Sequence, residues 1–170
     1  MAVIEAIATT YLEADVASVT FSAIPQTYEH LQLRMSGKLG RSNHEGEMLI
    51  NGVSSGSVYS RHRMGGSGSS TNAWASTSAD YIVGPYFSGT GAGAANYAVS
   101  IVDILDYTNT NKNMTMMYMT YEQGTPNLYF GSALWDGTAA VTSLTYRITP
   151  TVSELLTRGS VITLYGLNSS

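Results

Sequence analysis

An all-β sandwich filling a single domain is predicted by three observations. Apolar and polar residues alternate with period two in about ten short segments. Gly, Asn, Asp, Ser and Pro separate those segments at close intervals, as turns separate the strands of a sandwich. Only 12% of the residues are charged, about half the usual share. Gly, Ser and Thr fill the gap, which makes a neutral, hydroxyl-rich surface suited to short strands. No internal repeat, heptad seam or composition break divides the 170 residues, enough for one sizeable core.

The segments follow in order. Val3–Leu12 could be drawn as a short amphipathic helix, but the β-branched Val3, Ile4, Ile7, Thr9 and Thr10, with Tyr11, favour a strand. Glu13–Asp15 is then a turn into Ser18–Phe21, which makes a hairpin. Pro25 cannot donate to a ladder, so the chain leaves the sheet near Ile24-Pro25-Gln26. Alternation resumes with Leu31, Leu33 and Met35 on one face and His30, Gln32 and Arg34 on the other. A strand, a proline corner and a second strand suit a chain crossing between two packed sheets.

Lys38–Glu47 reads as a polar loop before Met48-Leu-Ile-Asn-Gly52. Val58–Met64 places Val58, Ser60 and His62 on one face and Tyr59, Arg61 and Arg63 on the other. Gly65–Ser70 reads as a flexible loop on a rigid scaffold, and Ser88–Ala95 as a second one. Tyr97–Leu105 is nearly continuous in apolar residues, the mark of a strand buried on both faces. Met114–Tyr121 sets Met114, Met116, Tyr118 and Thr120 against Thr115, Met117, Met119 and Tyr121. Leu128–Trp135 and Val141–Ile148 are joined by Asp136-Gly137, a hairpin turn signal. Thr151–Leu156 fits one helical turn, and Ser160–Tyr165 closes the fold. Phe21, Leu31, Leu33, Ile101, Ile104 and Leu164 are the expected core.

Several of these segments resemble a family of small virion structural proteins of tailed bacteriophages, described as decoration, tail or fibre proteins. They are SVTFSAIPQTYEHLQLR, LINGVSSGSVYSRHRMGGSGSS, SIVDILDYTNTNKNMT, and SALWDGTAAVTSLTYRITP with RGSVITLYGL. The resemblance covers most of the chain. It implies a jelly-roll-like antiparallel sandwich in a virion structural protein, and it brings no catalytic residues with it.

The net charge of −4 gives no basic footprint for nucleic acid. There is no cysteine, so no disulfide or thiolate metal site is expected. No segment has the length of a membrane span, and the start lacks the pattern of a signal peptide. A product made in the host cytoplasm and kept there until assembly is therefore expected.

The patterns that suggest chemistry fail on their surroundings. Gly52-Val-Ser-Ser-Gly56 matches a nucleophile elbow, but that motif needs a strand before Ser54 and a helix after it. Gly89-Thr-Gly-Ala-Gly-Ala lacks the helix of a dinucleotide loop. Glu45 and Glu47 read as solvated charges rather than a glycosidase pair. Asp103 shares a face with Val99, Ile101 and Leu105, so it must be hydrogen-bonded or at a subunit contact. His30, His44 and His62 show no metal-ligand spacing, and no cofactor is expected.

Two basic groups, Arg34 with Lys38 and Arg41, and Arg61 with Arg63, are either solvated or pair with acids on a partner. The methionines of Met114–Met119 suit core packing or an adaptable subunit interface. Trp74, Trp135 and twelve tyrosines could stack on sugars. The expectation is a phage head decoration (cement) protein, a homotrimer binding the major capsid protein from outside. It would stabilise the shell without enzymatic activity, using Arg34, Lys38, Arg41, Arg61 and Arg63 as first contacts. The alternative is a tail or fibre protein that binds a host glycan. A fibre needs an attachment segment and a shaft, and a single globular module fits decoration better.

Overall fold

The computed structural model describes residues 3–40, 44–87, 96–122, 127–150 and 154–169, with the backbone alone at 44 and 45. Twelve strands are described, in chain order β1 (Val3–Tyr11), β2 (Ser18–Phe21), β3 (His30–Gly37), β4 (His44–Ile50), β5 (Tyr59–Ser67), β6 (Ser70–Ala79), β7 (Ile82–Phe87), β8 (Ala98–Leu105), β9 (Met114–Glu122), β10 (Asn127–Trp135), β11 (Leu144–Ile148) and β12 (Val161–Asn168). The described residues contain no helix.

The strands form two antiparallel sheets. One has eight strands in the order β1-β12-β3-β8-β9-β10-β5-β6, and the other four in the order β2-β11-β4-β7. β1-β12-β3-β8 faced by β2-β11-β4-β7 is the arrangement of a jelly roll, in which the chain wraps repeatedly from one sheet to the other. The four remaining strands widen the larger sheet beyond β8, so it overhangs its smaller partner. The β5–β6 hairpin is closed at its base by Ser57 N–H donating to Asp80 Oδ1 at 2.9 Å. The β9–β10 pair is closed the same way, with Asn113 Nδ2 donating to Asp136 Oδ1 at 2.9 Å.

The core lies between the sheets. Leu31, Leu33, Val102, Ile104, Met116, Ile162 and Leu164 come from the larger sheet, and Phe21, Met48, Ile50, Ile82, Phe87 and Leu144 from the smaller. Tyr59 enters this core with its hydroxyl satisfied: Ile50 N–H donates to it at 3.0 Å and it donates to the Val53 carbonyl at 2.9 Å. That pairing offsets the cost of burying a phenol.

The proline corner lies where expected. The chain leaves the small sheet after Phe21 and enters the large one at His30, while Tyr107 Oη donates to the Pro25 carbonyl. The alternation expected for Met114–Tyr121 is also present: Met114, Met116, Tyr118 and Thr120 are buried, and Thr115, Met117, Met119 and Tyr121 are exposed.

Other expectations are corrected. β1 and β2 are not a hairpin, because β1 pairs with β12 and β2 with β11. Asp136-Gly137 likewise begins a crossing to the other sheet, since β10 pairs with β9 and β5. β8 is buried on one face only; Val99 and Leu105 are exposed and Ile101 is half-buried on the outward face, so Ile101 is not core. The solvated reading of Glu47 fails: it is 1% exposed and accepts from Arg147 Nε at 2.8 Å. Leu39 and Leu156 form an isolated bridge where a polar loop and a helical turn were expected. The side chain of Glu45, the loop Ser88–Ala95 and residues 151–153 lie outside the described residues.

Gly65 and Gly66 are strand residues, not loop. Gly65 sits directly opposite Tyr129, whose ring lies over it so closely that a Cβ would be 2.3 Å from the ring. Gly131 does the same for Tyr118, at 2.1 Å. A strand glycine with an aromatic ring across it covers its backbone without a side chain of its own. The two rings meet the inner side of the overhang at these points.

Candidate functional site

Both faces of the widened sheet carry unusual side chains. On the outward face, strand register sets large apolar residues side by side across β8, β9, β10 and β5. Val99 lies opposite Tyr121, which lies opposite Leu128. In the next row Ile101, Met119, Phe130 and Met64 are direct neighbours. Met117 follows one row further, 62% exposed, with Met64 at 59% and Phe130 at 47%. Shallow grooves of about 490 Å³ and 350 Å³ run between these side chains, the first along Met64, Ala73, Leu128 and Phe130 and the second along Ile101, Met117 and Met119.

This surface carries few ionisable groups, His62 of β5 among them. Arg34 and Asp103 stand at its β3 border, already joined through Gln32. The Gln32 amide donates to Asp103 Oδ1 at 2.7 Å and its carbonyl oxygen accepts from Arg34 Nε at 2.7 Å. Arg34 also lies over the Tyr165 ring, 4.9 Å from its centre. Asp103 therefore has the hydrogen bond its position demanded.

The inward face of the overhang is aromatic and basic. Arg63 lies 4.5 Å from the centre of the Trp74 ring, 5.0 Å from Tyr86 and 5.8 Å from Tyr129. Tyr86 and Tyr129 stack at 4.4 Å, and Trp74 tilts against Tyr129 at 6.3 Å. Arg61 lies 5.6 Å from the Tyr81 ring. A cavity of about 270 Å³ opens among Arg61, Arg63, Trp74 and Tyr118. A guanidinium held over ring faces is attracted by their quadrupoles, and of the three rings around Arg63 only Trp74 is exposed, since Tyr86 is buried against Tyr129.

The five basic residues expected to form a contact are not brought together. Arg34 is on the outward face, and Arg61 and Arg63 are on the inward face of β5. Lys38 is buried at 7% exposure, a correction to its place among the contacts: it enters an isolated bridging segment next to the core. Arg41 lies outside the described residues.

The remaining chemical candidates sit apart. Ser54 is exposed in the turn between β4 and β5, with strand rather than helix after it. Among the described residues, no group of three or more His, Asp or Glu converges on a point where a metal could sit. His30 Nδ1 accepts from the Asp106 backbone N–H at 3.0 Å. Of the two tryptophans, Trp135 is core and Trp74 is 40% exposed.

Of the two expectations for Met114–Met119, core packing holds for Met114 and Met116, while Met117 and Met119 are exposed on the outward face. The extension of that face by Met64, Leu128 and Phe130 was not read from the sequence, although the signal was present. Met114–Tyr121 is apolar on both of its faces, and Leu128 and Phe130 repeat that on the next strand. Compared with known proteins, the chain matches no family model, no curated protein and no solved structure.

Proposed function

We propose that this chain is a virion structural protein of a tailed bacteriophage, a non-enzymatic head decoration subunit that acts as a homotrimer on the outside of the shell. The resemblance of its segments supplies the setting. The observation that carries the assembly role is the apolar, sparsely charged face across β8, β9, β10 and β5. An exposed patch of that kind marks a surface meant to be covered by protein. The mechanism is linkage: a subunit that binds the assembled shell but not its separated components stabilises the shell by the free energy of binding. A closed trimer fits the three equivalent edges at a three-fold or quasi-three-fold position.

Quantitative mass spectrometry of purified particles tests this reading. Copies in the hundreds, set by shell symmetry, are expected, and heads lacking the protein should release DNA at a lower temperature until it is added back. A dozen or fewer copies located at the tail would overturn it.

A second reading rests on a separate observation, the cluster of Trp74, Tyr118, Arg61 and Arg63 around its cavity. Flat aromatic faces stack on sugar rings, and guanidinium groups bind carboxylates or hydroxyls. Under this reading the protein binds a host surface glycan. Trp74→Ala should then abolish adsorption to host cells while leaving particle stability unchanged. Unaltered adsorption would remove it.

A further inference from the structure

We propose that the outward face of β8, β9, β10 and β5 is buried against another copy of this same chain. This deepens the reading above by naming what covers that face. The first argument is area. Eight large apolar side chains on this face are each about half exposed, Met117 and Met64 most of all. At roughly 150 Å² for a large side chain, the lower end of the aromatic range, they present roughly 600 Å². That lies at the top of the roughly 300–600 Å² of the largest patch on a typical monomer, which is often functional. It is about three-quarters of one partner's contribution to a standard interface, near 800 Å².

The second argument is charge. The strands at the centre of the face, β9 and β10, place no ionisable side chain but the phenol of Tyr121 on it. Beyond them the face carries Asp103, tied to Arg34 through Gln32, and His62 of β5, opposite Ser132. A surface that selects a different protein usually carries charges arranged to complement it. A sparsely charged surface accepts its own copy with little like-charge repulsion.

The third argument is composition. Met64, Met117 and Met119 are flexible enough to interdigitate with identical neighbours. A newly made subunit must also shield this face before any shell exists, and the partner always present at that stage is another copy.

Sedimentation of the full-length chain tests the proposal. The wild type should be an oligomer at micromolar concentration and remain one in 1 M NaCl, since screening weakens charge pairs but not apolar burial. Met119→Glu with Phe130→Glu should weaken association by on the order of 100-fold or more, with an unchanged β-type circular dichroism spectrum. Met119→Leu should retain the oligomer. A second measurement needs no variant: peroxide oxidation of Met64, Met117 and Met119 in the wild type, compared at high and low protein concentration. Protection at high concentration is expected.

A monomeric wild type, an oligomer that survives the double substitution in folded form, or oxidation rates independent of concentration would each overturn the proposal. The two readings also fail separately. An oligomer that never joins a particle sinks the decoration role alone, and a monomer that does so sinks this inference and the trimer while leaving the decoration role standing.

Discussion

Arg147 donates from Nε to Glu47 Oε2 across 2.8 Å, joining directly opposed positions of β11 and β4 that lie 100 residues apart in the chain. Glu47 is buried, and that guanidinium is the cation paired with its carboxylate. Removing one member of such a pair leaves an uncompensated buried ion. Arg147→Ala should therefore destabilise the fold by roughly 3 kcal/mol, and the paired change Glu47→Leu with Arg147→Leu should recover much of the loss. Urea titration measures both. A single substitution within about 0.5 kcal/mol of wild type, as at an ordinary surface site, would refute the argument.

Core truncations should separate by face. Leu33→Ala, Ile104→Ala and Leu164→Ala each empty fully enclosed volume and should cost roughly 2–5 kcal/mol. Ile101→Ala, on the outward face of the same strand as Ile104, should cost the isolated subunit about 1 kcal/mol or less. Equal losses at 101 and 104 in a monomeric form would contradict the assignment of faces.

A methyl group at Gly65 or Gly131 has no room. Each Cβ would clash with the ring of Tyr129 or Tyr118, at 2.3 Å and 2.1 Å respectively, and forcing it in should cost roughly 1–3 kcal/mol. The loss at Gly65→Ala should shrink when Tyr129→Ala is made with it, a coupling that a double-mutant cycle reads directly. Independent, additive losses would show that the ring does not lie over the glycine.

Acid should loosen the seam between the β2–β3 connection and the chain beyond β12. Glu29 accepts from both the hydroxyl and the backbone N–H of Ser169, which holds its carboxyl below the ordinary value of 4.5. The Lys112 ammonium does the same for Asp106, below 3.8. A carboxyl depressed in the folded state contributes stability that is present above its unfolded pKa and is lost as pH falls through its folded one. Melting temperature should thus decline below about pH 4.5, and Glu29→Gln with Asp106→Asn should flatten that decline. An unchanged acid profile in the double variant would reject these two groups as its source.

The strands themselves were legible because period-two alternation survives in the residues: Leu31, Leu33 and Met35 point inward, as do Met114 and Met116. Strand partners were not legible. Glu13–Asp15 and Asp136-Gly137 have ordinary turn chemistry, yet the chain crosses between sheets at both, because a jelly roll pairs strands distant in sequence. Alternation also cannot say which face meets a second sheet. Ile101 and Ile104 both look like core residues, and only the order of strands decides between them. The sequence left the methionines of Met114–Met119 between core and subunit interface for the same reason. Met117, Met119 and Phe130 are outward because the smaller sheet lies on the other side, a fact set by topology rather than by composition.

The two base clasps, Ser57 to Asp80 and Asn113 to Asp136, bring the ends of each added strand pair together at the rim of the roll. Each addition therefore behaves as a cassette, entering and leaving the scaffold at nearly one point. Its length and tip can diverge while the eight strands that close the fold keep their order. Affinity for a neighbour can change in this way without the scaffold having to be reinvented.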